Sequence, residues 1–62
     1  MKYAIRLIGS SEFLSGFTNI GEPQWVAGWD HADMLLYPSR EQATQPLHLV
    51  FDDGLHAMIE EI

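Results

Sequence analysis

Residues 2–18 read KYAIRLIGSSEFLSGFT, and this segment has the clearest strand pattern of the chain. Side chains alternate in polarity along residues 2–8, which is the pattern of a strand with one apolar face. That face is formed by Tyr3, Ile5 and Leu7. Gly-Ser-Ser-Glu at 9–12 is typical of a turn, and alternation resumes over residues 13–18. The stretch therefore predicts a β-hairpin formed by residues 2–8 and 13–18.

The next segments predict a third strand and one helix. After a break at residues 19–23, Gln24–Trp29 has the pattern of a strand. Residues 32–37 are short and apolar, and they fit either an extended segment or a helical turn. Ser39 can cap a helix, with Gln42 in the position that completes a capping box. Because Pro46 follows, we expect the helix to be short and to cover about Ser39–Gln45.

Residues 47–62 fit two templates. As a hairpin, Leu47–Phe51 and Leu55–Glu60 flank Asp52-Asp53-Gly54, with Gly54 in the left-handed position that closes a three-residue loop. As a helix, residues 55–62 have apolar side chains at helical spacing and Asp53 as a possible cap. Two glutamates near the C-terminus would oppose the helix dipole, which favours the hairpin. We expect a single α+β domain over residues 1–62, with an antiparallel sheet of three to five strands.

Length and composition restrict the class of protein. A chain of 62 residues is near the lower limit for a domain stabilised by packing alone. There are no cysteines, so disulfides and thiolate metal sites are excluded, as in many proteins of a reducing cytoplasm. No apolar run approaches the roughly 20 residues that cross a bilayer, and the N-terminal residues do not resemble a signal peptide. We therefore expect a soluble, cytoplasmic protein.

No group of residues predicts a catalytic or metal site. Asp30-His31-x-Asp33 matches no established ligand spacing and is more typical of a turn. In the hairpin, His48 and His56 would share a face without pairing with each other. No serine has a histidine and an acid at an informative spacing, and the glycines form no phosphate-binding loop. The sequence predicts a protein that is not an enzyme and that has no cofactor and no metal.

Acidity is the most informative feature for function. The chain has nine acidic and three basic residues, which gives a net charge of −6. Lys2, Arg6 and Arg40 are expected not to neutralise the acids locally. The charge either serves solubility alone or marks a face that binds a basic partner, whereas direct binding to nucleic acid or membrane is disfavoured. The acids that would form this partner-binding face are Glu12, Glu22, Asp30, Asp33, Asp52, Asp53, Glu60 and Glu61.

Three aromatic residues are candidates for an apolar anchor within the acidic face. Trp25, Trp29 and Tyr37 are large for so small a domain. Aromatic stripes usually pack in a core, and at least one Trp is expected to do so. Trp and Tyr are also enriched at the energetic centres of interfaces. We keep both interpretations for all three residues.

Several residues recur in a loose order along the first two thirds of the chain: Tyr3-x-Ile5, Phe13-Leu14-Ser15-Gly16, Trp25, Trp29-x-x-Ala32 and Tyr37-x-Ser39-x-Glu41-x-Ala43. This order resembles that of many short phage and mobile-element proteins. In size, acidity and absence of a catalytic motif, the chain is similar to anti-CRISPR proteins. Some of those mimic DNA by presenting carboxylates to the basic DNA-binding surface of a CRISPR effector complex.

The resemblance implies a phage-encoded inhibitor that acts in the host bacterial cytoplasm. It would bind a CRISPR effector and block the nucleic-acid-binding site with a DNA-mimicking acidic face, without catalysis. The alternative from the residues themselves is a small protein–protein interaction module or a homodimeric regulatory protein, in which the charge serves solubility only. Either the monomer or the homodimer is compatible with this length.

Overall fold

The computed structural model describes residues 1–27 and 33–62 of the chain. Its elements are four strands and one helix: β1 Tyr3–Leu7, β2 Glu12–Phe17, β3 Pro23–Ala27, α1 Arg40–Asp52 and β4 Ala57–Glu61. The strands form one sheet in the order β3-β2-β1-β4, and every neighbouring pair is antiparallel. The predicted α+β class, with a small antiparallel sheet and one helix, is confirmed.

The first three strands follow the sequence pattern. β1 and β2 form the predicted hairpin, with Arg6 opposite Phe13. The turn between them is fixed locally, because the Ser10 hydroxyl accepts a hydrogen bond of 3.0 Å from the Glu12 amide. β3 confirms the third strand as far as Ala27, and the remainder of the prediction lies outside the described residues.

The helix begins as predicted and ends later. Ser39 is the N-cap, and its hydroxyl accepts a hydrogen bond of 3.2 Å from the Gln42 amide. The predicted end before Pro46 is wrong, because α1 continues through this proline to Asp52. The continuation is favoured by burial, since Ala43, Leu47 and Val50 have helical spacing and form the face that packs on the sheet. Packing of this face outweighs the cost of the proline.

Both templates for the C-terminal segment are wrong in detail. Residues 47–51 are helical, and β4 pairs with β1 instead of with them, with Ile59 opposite Ile5. The left-handed conformation predicted for Gly54 is confirmed, at a φ of 85°. It ends α1 in a Schellman motif, in which the Gly54 amide donates to the Phe51 carbonyl at 2.9 Å and the Leu55 amide donates to the Val50 carbonyl at 3.3 Å.

The hydrophobic core has two parts, one on each face of the sheet. The main cluster lies between the sheet and α1 and consists of Ile5, Leu14, Val50 and Ala57. Half-buried side chains from β2, β3, β4 and the connections pack around it, including Phe17, Trp25 and Ile59. The smaller cluster consists of Ala4, Phe13 and Met34. The two parts together bury both faces of β1 and β2, the two interior strands of the sheet.

A short extended segment, residues 35–37, joins β1 and β2 at the end of the sheet where the two strands separate. The Leu35 amide donates to the Leu14 carbonyl at 2.9 Å, and Tyr37 exchanges backbone hydrogen bonds with Tyr3 at 2.9 and 2.8 Å. Of the two predicted alternatives for this region, the extended one is correct for Tyr37. The segment satisfies backbone groups of both strands and leads directly into the cap of α1.

Candidate protein-binding surface

The sheet topology divides the predicted acidic residues between two ends of the domain. Because neighbouring strands alternate in direction, β1 ends where β2 and β4 begin, and α1 also ends there, one short connection before β4. The opposite end carries the start of β1, the β2–β3 turn, the start of α1 and the end of β4. Strands of this length separate the two ends by roughly 15–20 Å. The acids therefore do not share one continuous face.

One end carries three exposed acids, and we call it the acidic end. The basic residue described there is Arg6, whose guanidinium donates to the Ser10 carbonyl in the β1–β2 turn. The acidic end is formed by Glu12 at the start of β2 and by Asp52 and Asp53 at the end of α1, all of which are exposed. The last turn of α1 contains no basic residue. The carbonyl end of a helix carries a partial negative charge, which adds to the field of the two aspartates. The helix terminus thus concentrates negative potential where the sequence predicted only a loop tip.

The opposite end has mixed charge. Glu22 in the β2–β3 turn and Glu61 at the end of β4 are exposed there, together with Lys2 and Arg40. The Arg40 guanidinium lies over the Tyr3 ring, at 5.2 Å from its centroid, in the geometry of a cation–π contact. This end is a weaker candidate for binding a basic partner, because cations are interspersed with the acids.

The expectation that no basic residue neutralises the acids locally is wrong for Glu60. Antiparallel pairing of β1 with β4 brings Arg6 and Glu60 to the same face of the sheet, and the Arg6 Nε lies 3.4 Å from the Glu60 Oε1. The same guanidinium donates to the Ser10 carbonyl at 3.0 Å. Within residues 1–27 and 33–62 this is the one ion pair. Glu60 is consequently a poorer candidate for partner binding than its neighbours.

Two predicted acids remain, Asp33 and Asp30. Asp33 is exposed at the start of the connection to α1. Asp30 lies outside the described residues, as do Trp29 and His31 of the predicted anchor and turn.

The two described aromatic candidates belong to the core more than to the surface. Trp25 lies opposite Leu14 in the β2–β3 pair, and both Trp25 and Tyr37 are half-buried against the main cluster. The prediction that at least one Trp serves packing is confirmed. Burial raises the pKa of the Tyr37 phenol above its ordinary value of 10.0, because the phenolate loses hydration.

The raised pKa of Tyr37 predicts a loss of stability at alkaline pH. The folded state holds the phenol proton more tightly than the unfolded state, so the free energy of unfolding is unaffected below about pH 10 and falls as the pH rises above it. We expect Tyr37→Phe to unfold at a higher pH than the parent chain in alkaline titrations monitored by circular dichroism. Parallel loss of structure in both proteins would show that other groups control the alkaline transition.

The sequence raised the question of two kinds of site, a cavity and a metal-ligand group. No cavity and no group of three potential metal ligands is found among residues 1–27 and 33–62. The hairpin that would have placed His48 and His56 on one face does not form. His48 lies on α1, where its ring stacks on Phe51 with centroids 6.2 Å apart, and His56 precedes β4.

The structure also exposes apolar side chains that were not predicted as functional. Leu49 and Phe51 on α1 are 49% and 44% exposed, and Met58 and Ile62 in or beside β4 are 40% and 48% exposed. Their positions depend on the continuation of α1 past Pro46 and on the pairing of β4 with β1. The helical spacing of Ala43, Leu47 and Val50 is the signal that could have revealed the first of these features.

Comparison of the chain with protein-family models, curated proteins and solved structures finds no match. Among the described residues, no helix has the length and apolar character needed to cross a membrane. The fold and surface therefore define the protein only as a small α+β domain with an acidic end.

Proposed function

We propose that this domain is a non-enzymatic inhibitor that binds a basic protein surface through its acidic end. One observation carries the proposal. Glu12, Asp52 and Asp53 are exposed together at the end of the sheet where α1 terminates, and no described Lys or Arg lies in that helix turn to neutralise them. An excess of charge of one sign attracts partners of the opposite sign and increases their rate of association.

The arrangement at the helix terminus costs stability, which supports a role beyond solubility. Carboxylates are unfavourable at the C-terminal end of a helix, where cations are preferred. Solubility could be provided by acids at any exposed position, including the first turn of α1, where Glu41 lies. Two aspartates at the least favourable end of the helix are consistent with selection for the field they produce.

The specific form of the proposal is that the partner is a CRISPR effector and that the acidic end occupies its nucleic-acid-binding site. The surface that binds DNA in such a complex must be basic, because DNA carries about one negative charge per 1.7 Å of its axis. A compact acidic domain can compete for the same Lys and Arg side chains without any reaction. The protein would then act in the host bacterial cytoplasm as a phage-encoded DNA mimic.

The test is a competition between the domain and labelled target DNA for purified CRISPR effector complexes. Displacement of the DNA is measured by fluorescence anisotropy. We expect the parent domain to displace DNA and the double variant Asp52→Lys/Asp53→Lys to do so at least about tenfold less well, given the coupling energies of close charge pairs. The same variant should be more stable than the parent and unfold at a higher temperature. The expected gain in the free energy of unfolding is about 0.3–1 kcal/mol for each favourable helix-end charge. Binding and stability should therefore change in opposite directions.

The matched control is Glu22→Lys/Glu61→Lys, which makes the same change of net charge at the opposite end. If the acidic end is the binding surface, the control retains most of the affinity. Equal losses in both double variants would assign binding to net charge alone. Failure of the parent domain to displace DNA from any effector would reject the CRISPR form of the proposal.

A further inference from the structure

β4 is an edge strand with free hydrogen-bonding groups. The Ile8 amide donates to the His56 carbonyl at 2.9 Å, and the Ile62 amide donates to the Lys2 carbonyl at 2.8 Å. In an antiparallel ladder, alternate residues bond to the same neighbour, so the even-numbered residues of this segment bond to β1. The amides and carbonyls of Ala57, Ile59 and Glu61 then point away from the sheet. Within residues 1–27 and 33–62, no strand pairs with this edge.

Exposed apolar side chains accompany this edge. Met58 lies in β4, Ile62 directly follows it, and Phe51 lies at the end of α1, the helix that packs over β4. Free strand edges with apolar neighbours pair readily with other strands unless they are protected. In so short a chain, a partner subunit would also supplement a small core.

We propose that this edge pairs with the same edge of a second copy of the chain. The pairing is antiparallel and two-fold symmetric, with Ile59 opposite Ile59 of the second copy. Hydrogen bonds between the two copies require that residues with outward-pointing amides and carbonyls lie opposite each other. This register pairs Ala57, Ile59 and Glu61 of one copy with the same three residues of the other. The two sheets would join into one continuous sheet. The inference goes beyond the proposed inhibitor function and does not depend on it.

The charges in β4 allow this register. Centring the pair on Ile59 places Glu61 of one copy opposite Ala57 of the other, and Glu60 of one copy opposite Met58 of the other. No two acids are therefore directly opposed. Glu60 is also paired with Arg6 within its own copy. Each copy nevertheless has a net charge of −6, which makes association weaker at low salt. A basic peptide at the same edge would show the reverse dependence on salt.

The test is sedimentation equilibrium of the full chain from micromolar to millimolar concentration, at low and high salt. We expect the mass to rise from 7.0 kDa toward twice that value, with stronger association at high salt. Glu61→Pro removes an outward amide without removing a hydrogen bond to β1, and it should weaken dimerisation at least about tenfold. Glu61→Gln, which keeps the amide and removes one negative charge, should dimerise at least as strongly as the parent.

A second measurement needs no variant. In a mixture of isotope-labelled and unlabelled chains, the proposed register predicts an intermolecular nuclear Overhauser effect between the α-protons of Met58 and Glu60. A chain that stays monomeric at millimolar concentration and high salt overturns the proposal. So does a dimer that lacks this contact or that is insensitive to Glu61→Pro. Tight binding of a basic peptide at this edge, with no self-association, would assign it to a foreign strand.

Discussion

Replacing Leu14 with alanine is expected to remove a large part of the stability of the domain. Leu14 is fully buried in the main cluster, between the sheet and α1. Large-to-small substitutions at such sites cost about 2–5 kcal/mol, because the lost contacts leave a cavity. A domain of 62 residues has a total stability of roughly 3–9 kcal/mol. We expect the urea midpoint of Leu14→Ala to fall steeply, or the variant to be largely unfolded in water.

The matched control is the same substitution at Leu49. This side chain is 49% exposed on α1, and alanine is a better helix former than leucine. The stability of Leu49→Ala should stay within about 0.5 kcal/mol of the parent. Equal destabilisation by the two substitutions would contradict the assignment of Leu14 to the core and of Leu49 to the surface.

Features fixed by neighbouring residues could be predicted from the sequence. The β1–β2 hairpin is specified by alternation on both sides of a Gly-Ser-Ser-Glu turn, and the start of α1 by Ser39. The left-handed conformation of Gly54 was also predicted, although its role was not. A glycine after two aspartates can close a hairpin loop or end a helix, and only the surrounding elements decide between these outcomes.

Features that depend on distant contacts could not be predicted. β4 pairs with β1 because α1 carries the chain back across the sheet. The sequence of residues 57–61 alone does not indicate which strand they pair with. The same pairing places Arg6 beside Glu60 from opposite ends of the chain. An acid without a basic neighbour in sequence was therefore mistaken for an acid without a basic neighbour in space.

At the acidic end, the predicted secondary structure is wrong but the predicted exposure of the acids is correct. Asp52 and Asp53 were predicted at a loop tip and lie at the end of a helix, and they are exposed in both cases. The correction changes the physics of the site, because the helix dipole now adds to the two carboxylates. The sheet topology separates them from Glu22 and Glu61, so the candidate surface is one end of the domain instead of a ridge.

Replacing Pro46 with alanine is expected to stabilise the domain by about 1–3 kcal/mol. Proline in a helix interior has no amide to donate to the Gln42 carbonyl, and its ring crowds that carbonyl, at a cost of about 3 kcal/mol relative to alanine. Part of the gain is offset because Pro46 is half-buried and its ring packs in place of a smaller side chain. The gain should appear as a higher urea midpoint with an unchanged slope.

Gln45→Ala provides the control for Pro46→Ala, because it introduces alanine at the adjacent and exposed position of the same helix. It should change stability by no more than a few tenths of a kcal/mol, since glutamine and alanine are both good helix formers. An unchanged or lower midpoint for Pro46→Ala would mean that packing of the ring outweighs its effect on the helix backbone. Stabilisation confined to Pro46→Ala would show that the buried face of Ala43, Leu47 and Val50 drives the helix through a residue that opposes it.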